Sequence, residues 1–163
     1  MEILSTGIRN PPEQQLGEAQ SVYQRQISDS QLHHPQWGII LGTGMGGVAD
    51  SMDDANSIPY EKLPGFSRST ISGHRGELLA GRLNGVPIIA LNGRCHFYEG
   101  RSAREILFPV WLLHSLGIKN LLIGNASGGI NPFFNSGEVM LIDDHLDLMF
   151  RSVPSSEILD DGV

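Results

Sequence analysis

Three side chains suited to holding an oxyanion fall within five residues of this sequence. They are Arg94, His96 and Tyr98, inside the string Gly93-Arg94-Cys95-His96-Phe97-Tyr98-Glu99-Gly100. In an extended segment, positions i, i+2 and i+4 share one face. That face would present a guanidinium, an imidazole and a phenol to one ligand. The planar fork of arginine matches a phosphate or carboxylate through paired, charge-assisted hydrogen bonds, so the chemistry indicated is oxyanion binding. Read alone, the same string is equally an exposed polar strand end.

A second candidate segment is Gly42-Thr43-Gly44-Met45-Gly46-Gly47, which follows the apolar run Trp37–Leu41. It contains G-x-G-x-x-G, the dinucleotide fingerprint, on which a dinucleotide-binding oxidoreductase reading would rest. Only about five residues have room to be helical before Asp53-Asp54-Ala55-Asn56 and Pro59, so a βαβ crossover does not fit there. The expectation is a glycine-rich turn whose N–H groups and Thr43 hydroxyl face an anion. A third segment, Asn125-Ala126-Ser127-Gly128-Gly129-Ile130-Asn131, follows the run Asn120–Gly124 in the same manner. Open α/β sheets bind ligands beyond the carboxyl ends of their strands, so two such ends suggest one site. Gly73-His74-Arg75-Gly76 is a further loop with two candidate groups, or simply a turn. Asp143-Asp144-His145 has metal-ligand chemistry, but no other acidic cluster pairs with it, and a polar loop is expected. His33-His34 reads as a solvated pair, and Trp111 as core.

The elements that must position these residues are legible in part. Leu16, Ala19, Tyr23 and Ile27 mark a helix over about 12–29, with Asn10 as its cap and Pro11-Pro12 in its first turn. Residues 53–73 look irregular. Glu77–Leu83 and Val86–Asn92, joined by Asn84-Gly85, form a hairpin with a type I′ turn that delivers the Arg94 string. Ser102 and Glu105 form a capping box ahead of Ile106, Leu107, Val110, Leu113 and Leu116, and Gly117 ends that helix. Pro109 should strain it. Residues 120–124 read as a buried strand and residues 138–142 as another.

The 163 residues fit one domain with a real core, and 40% hydrophobic and 18% charged content is that of a globular protein. A formal charge of −7 with 11 scattered basic residues argues against a nucleic-acid partner. No apolar run reaches membrane-spanning length, and neither a signal peptide nor a Walker, H-E-x-x-H or G-x-S-x-G motif is found. The single cysteine, Cys95, excludes an intrachain disulfide and fits a reducing cytoplasm.

Taken together, the segments Leu41–Gly47, Gly73-His74, Gly93–Gly100, Asn125–Asn131 and Val139–His145 resemble the trimeric class of purine nucleoside phosphorylases. The resemblance covers roughly residues 12–150. It implies an α/β fold, a mixed β-sheet flanked by helices, in one domain over residues 1–163. This would be the N-terminal portion of the family fold, with the C-terminal portion absent. The family uses phosphate to cleave the N-glycosidic bond of purine (deoxy)ribonucleosides, giving the free base and the sugar 1-phosphate, without metal or organic cofactor. By the same resemblance Thr43, His74, Arg94, His96 and the N–H of Ala126 hold phosphate, with Arg94 and His96 catalytic. Tyr98 lies along the sugar and Asn125 at the rim. Thr43 and Ser127 stand where the family commonly has serine and alanine. The implied partners are a purine nucleoside and phosphate in a homotrimer. The alternatives are a phosphate- or nucleotide-binding remnant and a methylthioadenosine specificity.

Overall fold

The computed structural model describes residues 12–67 and 75–146. The elements, in chain order, are α1 (Glu13–Gln26), β1 (Trp37–Leu41), α2 (Gly46–Asp50), β2 (Asp53–Pro59), β3 (Glu77–Leu83), β4 (Val86–Asn92), α3 (Ala103–Ser115) and β5 (Asn120–Ile123). Short 3₁₀ turns lie at Ser30–Leu32, Tyr60–Lys62 and Phe97–Glu99. The strands form one mixed five-stranded sheet in the order β2-β3-β4-β1-β5. β1 runs parallel to both β4 and β5, while β3 is antiparallel to β2 and β4.

Alternation along the strands sorts the apolar side chains onto two faces. Ile40, Ile58, Leu78, Ala80, Ile89 and Leu91 meet α1 and α3 through Tyr23, Phe108, Leu112 and Leu113. Ile39, Leu41, Leu79, Ile88 and Ala90 form a smaller cluster with Ala49 of α2. The Tyr23 hydroxyl donates to the Leu32 carbonyl, so this buried phenol keeps a partner inside the larger cluster, and burial holds its pKa above the usual tyrosine value.

Local signals are realised closely. Asn84 and Gly85 have φ of 50° and 79°, the two positive values that a type I′ turn requires. Ser102 accepts from the Glu105 N–H while Glu105 accepts from the Ser102 N–H, closing the box at the start of α3. The helix continues through Pro109 and ends with Ile118 N–H on Leu113 O and Gly117 N–H on His114 O, a Schellman motif with Gly117 at φ 94°. α1 ends three residues earlier than expected, at Gln26, and its N-cap is Pro12; Asn10 lies outside the described residues.

Three expectations are corrected. Residues 53–59, read as irregular, form edge strand β2. Its start escapes the strand pattern because the register shifts between Asp53 and Asn56, with Asp54 at φ 52°. β5 is a strand but not a buried one: it sits at the sheet edge, with Leu122 and Ile123 at least half exposed. Residues 138–142 form no strand and are exposed. The apolar run Val139–Ile142 lacks a partner ladder, and an unpaired strand has nowhere to send its backbone hydrogen bonds. Among the described residues no helix is long and apolar enough to cross a membrane.

After the Tyr60 turn the chain is pressed onto α3. Tyr60 and Phe66 pack with their rings tilted 40° and centroids 4.7 Å apart, and Phe66 meets Phe108 edge-on at 5.6 Å. Gly65, at φ 84°, leaves room for the Phe108 ring, whose Cζ would lie 2.3 Å from a Cβ at this position. Gly65→Ala is expected to cost about 2–4 kcal/mol, combining overpacking with a left-handed backbone. Urea unfolding of the variant checks this.

Candidate functional site

The carboxyl ends of β1, β4 and β5 lie side by side at one edge of the sheet. Leu41 pairs with Asn92, and Ile40 with Ile123, so the chain leaves each strand at nearly the same level. Each exit begins with a glycine: Gly42, Gly93 and Gly124. The approach between β1 and β5 is too close for side chains. A Cβ on Gly42 would fall 2.4 Å from the Gly124 carbonyl oxygen, and one on Gly124 would fall 2.1 Å from Met45 Sδ. From Gly42 the chain makes a tight turn, with Met45 N–H donating to Gly42 O and Gly44 at φ 83° in the third position. Thr43 is exposed at the tip of this turn, beside the exposed Asn125 and Ala126.

Arg94 enters from β4. Its Nη1 donates to the Gly124 carbonyl at 3.0 Å, which carries the guanidinium across the end of β1 to the end of β5. The sheet edge therefore brings together Thr43, Arg94, Asn125 and Ala126. The string after Arg94 departs from the expected extended face. β4 stops at Asn92, His96 is still extended, and Phe97–Glu99 then turns as a 3₁₀ helix. Arg94, His96 and Tyr98 consequently do not lie along one strand. His96 and Tyr98 are instead stacked face to face, 4.9 Å between centroids and 11° between planes. Glu99 folds back, its Oε1 accepting from the His96 N–H at 2.7 Å. His74 lies outside the described residues.

Several residues that sequence reasoning did not single out hold this edge. The Tyr60 hydroxyl donates to the Gly93 carbonyl at 2.8 Å, and burial raises the phenol well above its usual pKa. The Gly76 N–H donates to the Asn92 carbonyl, and the buried Asn92 amide donates to Glu77 at 3.0 Å. The Cys95 thiol donates to the Ser67 carbonyl at 3.4 Å, and burial pushes it above the ordinary thiol range. Glu105 receives hydrogen bonds from the Ser67 hydroxyl, the Ser102 N–H and hydroxyl, and Arg101. Those donors, Ser67 foremost, hold its carboxyl down at about 2. Only the capping role of Glu105 carried a sequence signal. Tyr60 and Ser67 lie in a stretch with no periodicity.

The short α2 leads to edge strand β2, which pairs with β3 and is separated from β1 by β3 and β4, so Gly42–Gly47 does not open a βαβ unit of neighbouring parallel strands. Among the described residues no group of three or more His, Cys, Asp or Glu side chains could hold a metal ion. A guanidinium, a hydroxyl and backbone N–H groups are the types of group that bind anions, and here they lie at the carboxyl edge of parallel strands.

Residues 36–159 match the family model described as "Phosphorylase superfamily". The chain belongs to this superfamily. It is 44% identical over 115 residues to purine nucleoside phosphorylase 1 of Geobacillus stearothermophilus, covering 71% of this chain and 42% of the relative. The rat purine nucleoside phosphorylase is 42% identical over 116 residues, with 71% and 40% covered. Among solved structures, isoform 2 of the Schistosoma mansoni purine nucleoside phosphorylase, in complex with cytosine and ribose-1-phosphate, superposes with a TM-score of 0.67 at 37% identity. That superposition covers 77% of this chain and 42% of the Schistosoma one. The chain thus spans about two fifths of the length of the curated relatives it matches.

The low pKa of Glu105 fixes the sign of an acid effect. A carboxyl held below its unfolded value stabilises the fold above that value, and the stabilisation is lost as pH falls through the folded one. Glu105→Gln is expected to remove part of the stability lost between about pH 4.5 and 2. Urea unfolding of both proteins across that window reads the difference, and parallel acid limbs would refute it.

Proposed function

We infer that this chain carries the phosphate-binding part of a phosphorylase that cleaves the N-glycosidic bond of purine (deoxy)ribonucleosides, giving the free purine and the (deoxy)ribose 1-phosphate. The observation that carries the reading is the Arg94 guanidinium fixed on the Gly124 carbonyl, between the turns that follow β1 and β5. The similarity to proteins named purine nucleoside phosphorylase supports the reaction, and the ribose-1-phosphate in the Schistosoma structure supports the substrate class.

In this reading the phosphate is held by Arg94, the Thr43 hydroxyl and the Ala126 N–H, together with His74 and His96. Tyr98, with His96 stacked behind it, lies along the sugar, and Asn125 closes the rim. Glycosidic cleavage develops positive charge on the sugar and negative charge on the departing purine. A phosphate dianion fixed beneath the anomeric carbon stabilises that cation more than the neutral ground state, and then captures it. Phosphate is both the stabilising charge and the nucleophile, so the reaction calls on no organic cofactor. The assembly belonging to this reading is a homotrimer in the cytoplasm.

The test is release of hypoxanthine from inosine by the purified chain, with and without phosphate. Phosphate-dependent release would show that the chain turns over by itself. A phosphate-induced rise in Tm without release would support a binding part that needs further groups for turnover. Arg94→Ala is expected to weaken phosphate binding by about 1.5–3 kcal/mol, roughly tenfold to a hundredfold, and to leave the fold intact. An undiminished phosphate shift in that variant would remove Arg94 from the site.

A further inference from the structure

We propose that Glu105 and Ser67 form a latch that positions Arg94 for anion binding. The proposal rests on the reading of Arg94 as the anion-binding cation. Both chain neighbours of Arg94 are held by one segment, residues 60–67. On one side the Tyr60 hydroxyl donates to the Gly93 carbonyl at 2.8 Å, and on the other the Cys95 thiol donates to the Ser67 carbonyl at 3.4 Å. The aim of the guanidinium therefore depends on where residues 60–67 sit.

That segment is tied to α3 in two ways. Aromatic packing of Phe66 on Phe108 holds its middle, and the Ser67 hydroxyl donates to Glu105 Oε1 at 2.6 Å at its end. Packing alone does not fix the end. A cavity of about 230 Å³ lies between the end of β4 and α3, and Ser67, Arg94, Cys95 and Glu105 are all in its wall. Groups that border a void lack the dispersion contacts that would otherwise hold them, so a hydrogen bond at the rim carries more of the restraint. The other oxygen of the same carboxylate accepts from the Ser102 N–H and hydroxyl, 2.9 and 3.0 Å away. Ser102 is where the His96–Tyr98 turn runs into α3. A single side chain thus brackets residues 93–102, at the near end through Ser67 and Cys95 and at the far end through the helix cap. Glu105 and Ser67 touch no ligand in this scheme; they act through Arg94.

The decisive variants are Ser67→Ala, which opens the latch and leaves the cap, and Ser102→Ala, which weakens the cap and leaves the latch. Ser67→Thr keeps the hydroxyl and serves as the rescue. Two quantities are measured: the inorganic phosphate midpoint of the thermal shift, and residue-resolved amide exchange at Gly93, Arg94 and Cys95. Ser67→Ala is expected to raise the phosphate midpoint roughly threefold to tenfold, as loss of one hydrogen bond to a charged group allows, and to speed exchange at those amides. Ser102→Ala is expected to lower Tm without moving the midpoint, and Ser67→Thr to restore wild-type values. A Ser67→Ala protein with an unchanged midpoint and unchanged exchange would overturn the latch. If the wild-type chain shows no phosphate shift, the anion reading of Arg94 fails by itself. The exchange data then judge the latch alone, faster exchange in Ser67→Ala supporting it and unchanged exchange refuting it.

Discussion

The carbonyl of Gly124 is the point on which this sheet edge turns. It accepts the Arg94 guanidinium from β4, and it lies so near Gly42 that β1 tolerates no side chain there. Three parallel strands thus converge on one peptide group. Each of the three demands something different of the sequence: a glycine after β1, an arginine after β4, and a glycine at the end of β5 that admits Met45. A glycine pair at the end of two apolar runs is a weak signal by itself. It becomes meaningful because parallel pairing puts both glycines in contact, and because a cation is anchored at the same place.

The supports around this point come from side chains and backbone groups elsewhere in the chain. Tyr60 holds Gly93, the Gly76 N–H holds Asn92, and Glu77 takes the Asn92 amide. Buried polar atoms must find partners, so each of these contacts also satisfies a group that would otherwise destabilise the fold. The edge is therefore stiff for the same reason that it is stable.

What the sequence made legible follows the range of the interactions. The Asn84-Gly85 turn, the Ser102–Glu105 box and the Gly117 stop are set by residues within a few positions of one another, and all three stand as read. So do the strand ends that carry Thr43, Arg94 and Ala126, because glycine after an apolar run marks a sharp exit. β2 was missed because it is a mostly polar edge strand in which only Ile58 is buried. Residues 138–142 were misread because a short apolar run does not reveal whether a partner strand exists. The same limit hid the second role of Glu105. Its bond to Ser67 spans 38 positions, and no local pattern encodes it. The Arg94, His96 and Tyr98 spacing was correctly noticed, but the 3₁₀ turn at Phe97 converts a shared strand face into a stacked pair of rings.

The order of the strands also has a kinetic consequence. β3 and β4 are joined by a two-residue turn and can pair almost as soon as the chain collapses. β1 must instead find β4 across about fifty residues and β5 across more than eighty, as the pairings Trp37–Ile88 and Trp37–Asn120 require. Loop closure of that span is the slow, entropically opposed part of folding. Arg94 therefore belongs to a local hairpin, while the Gly124 carbonyl that fixes it depends on the long-range pairing of β1 with β5.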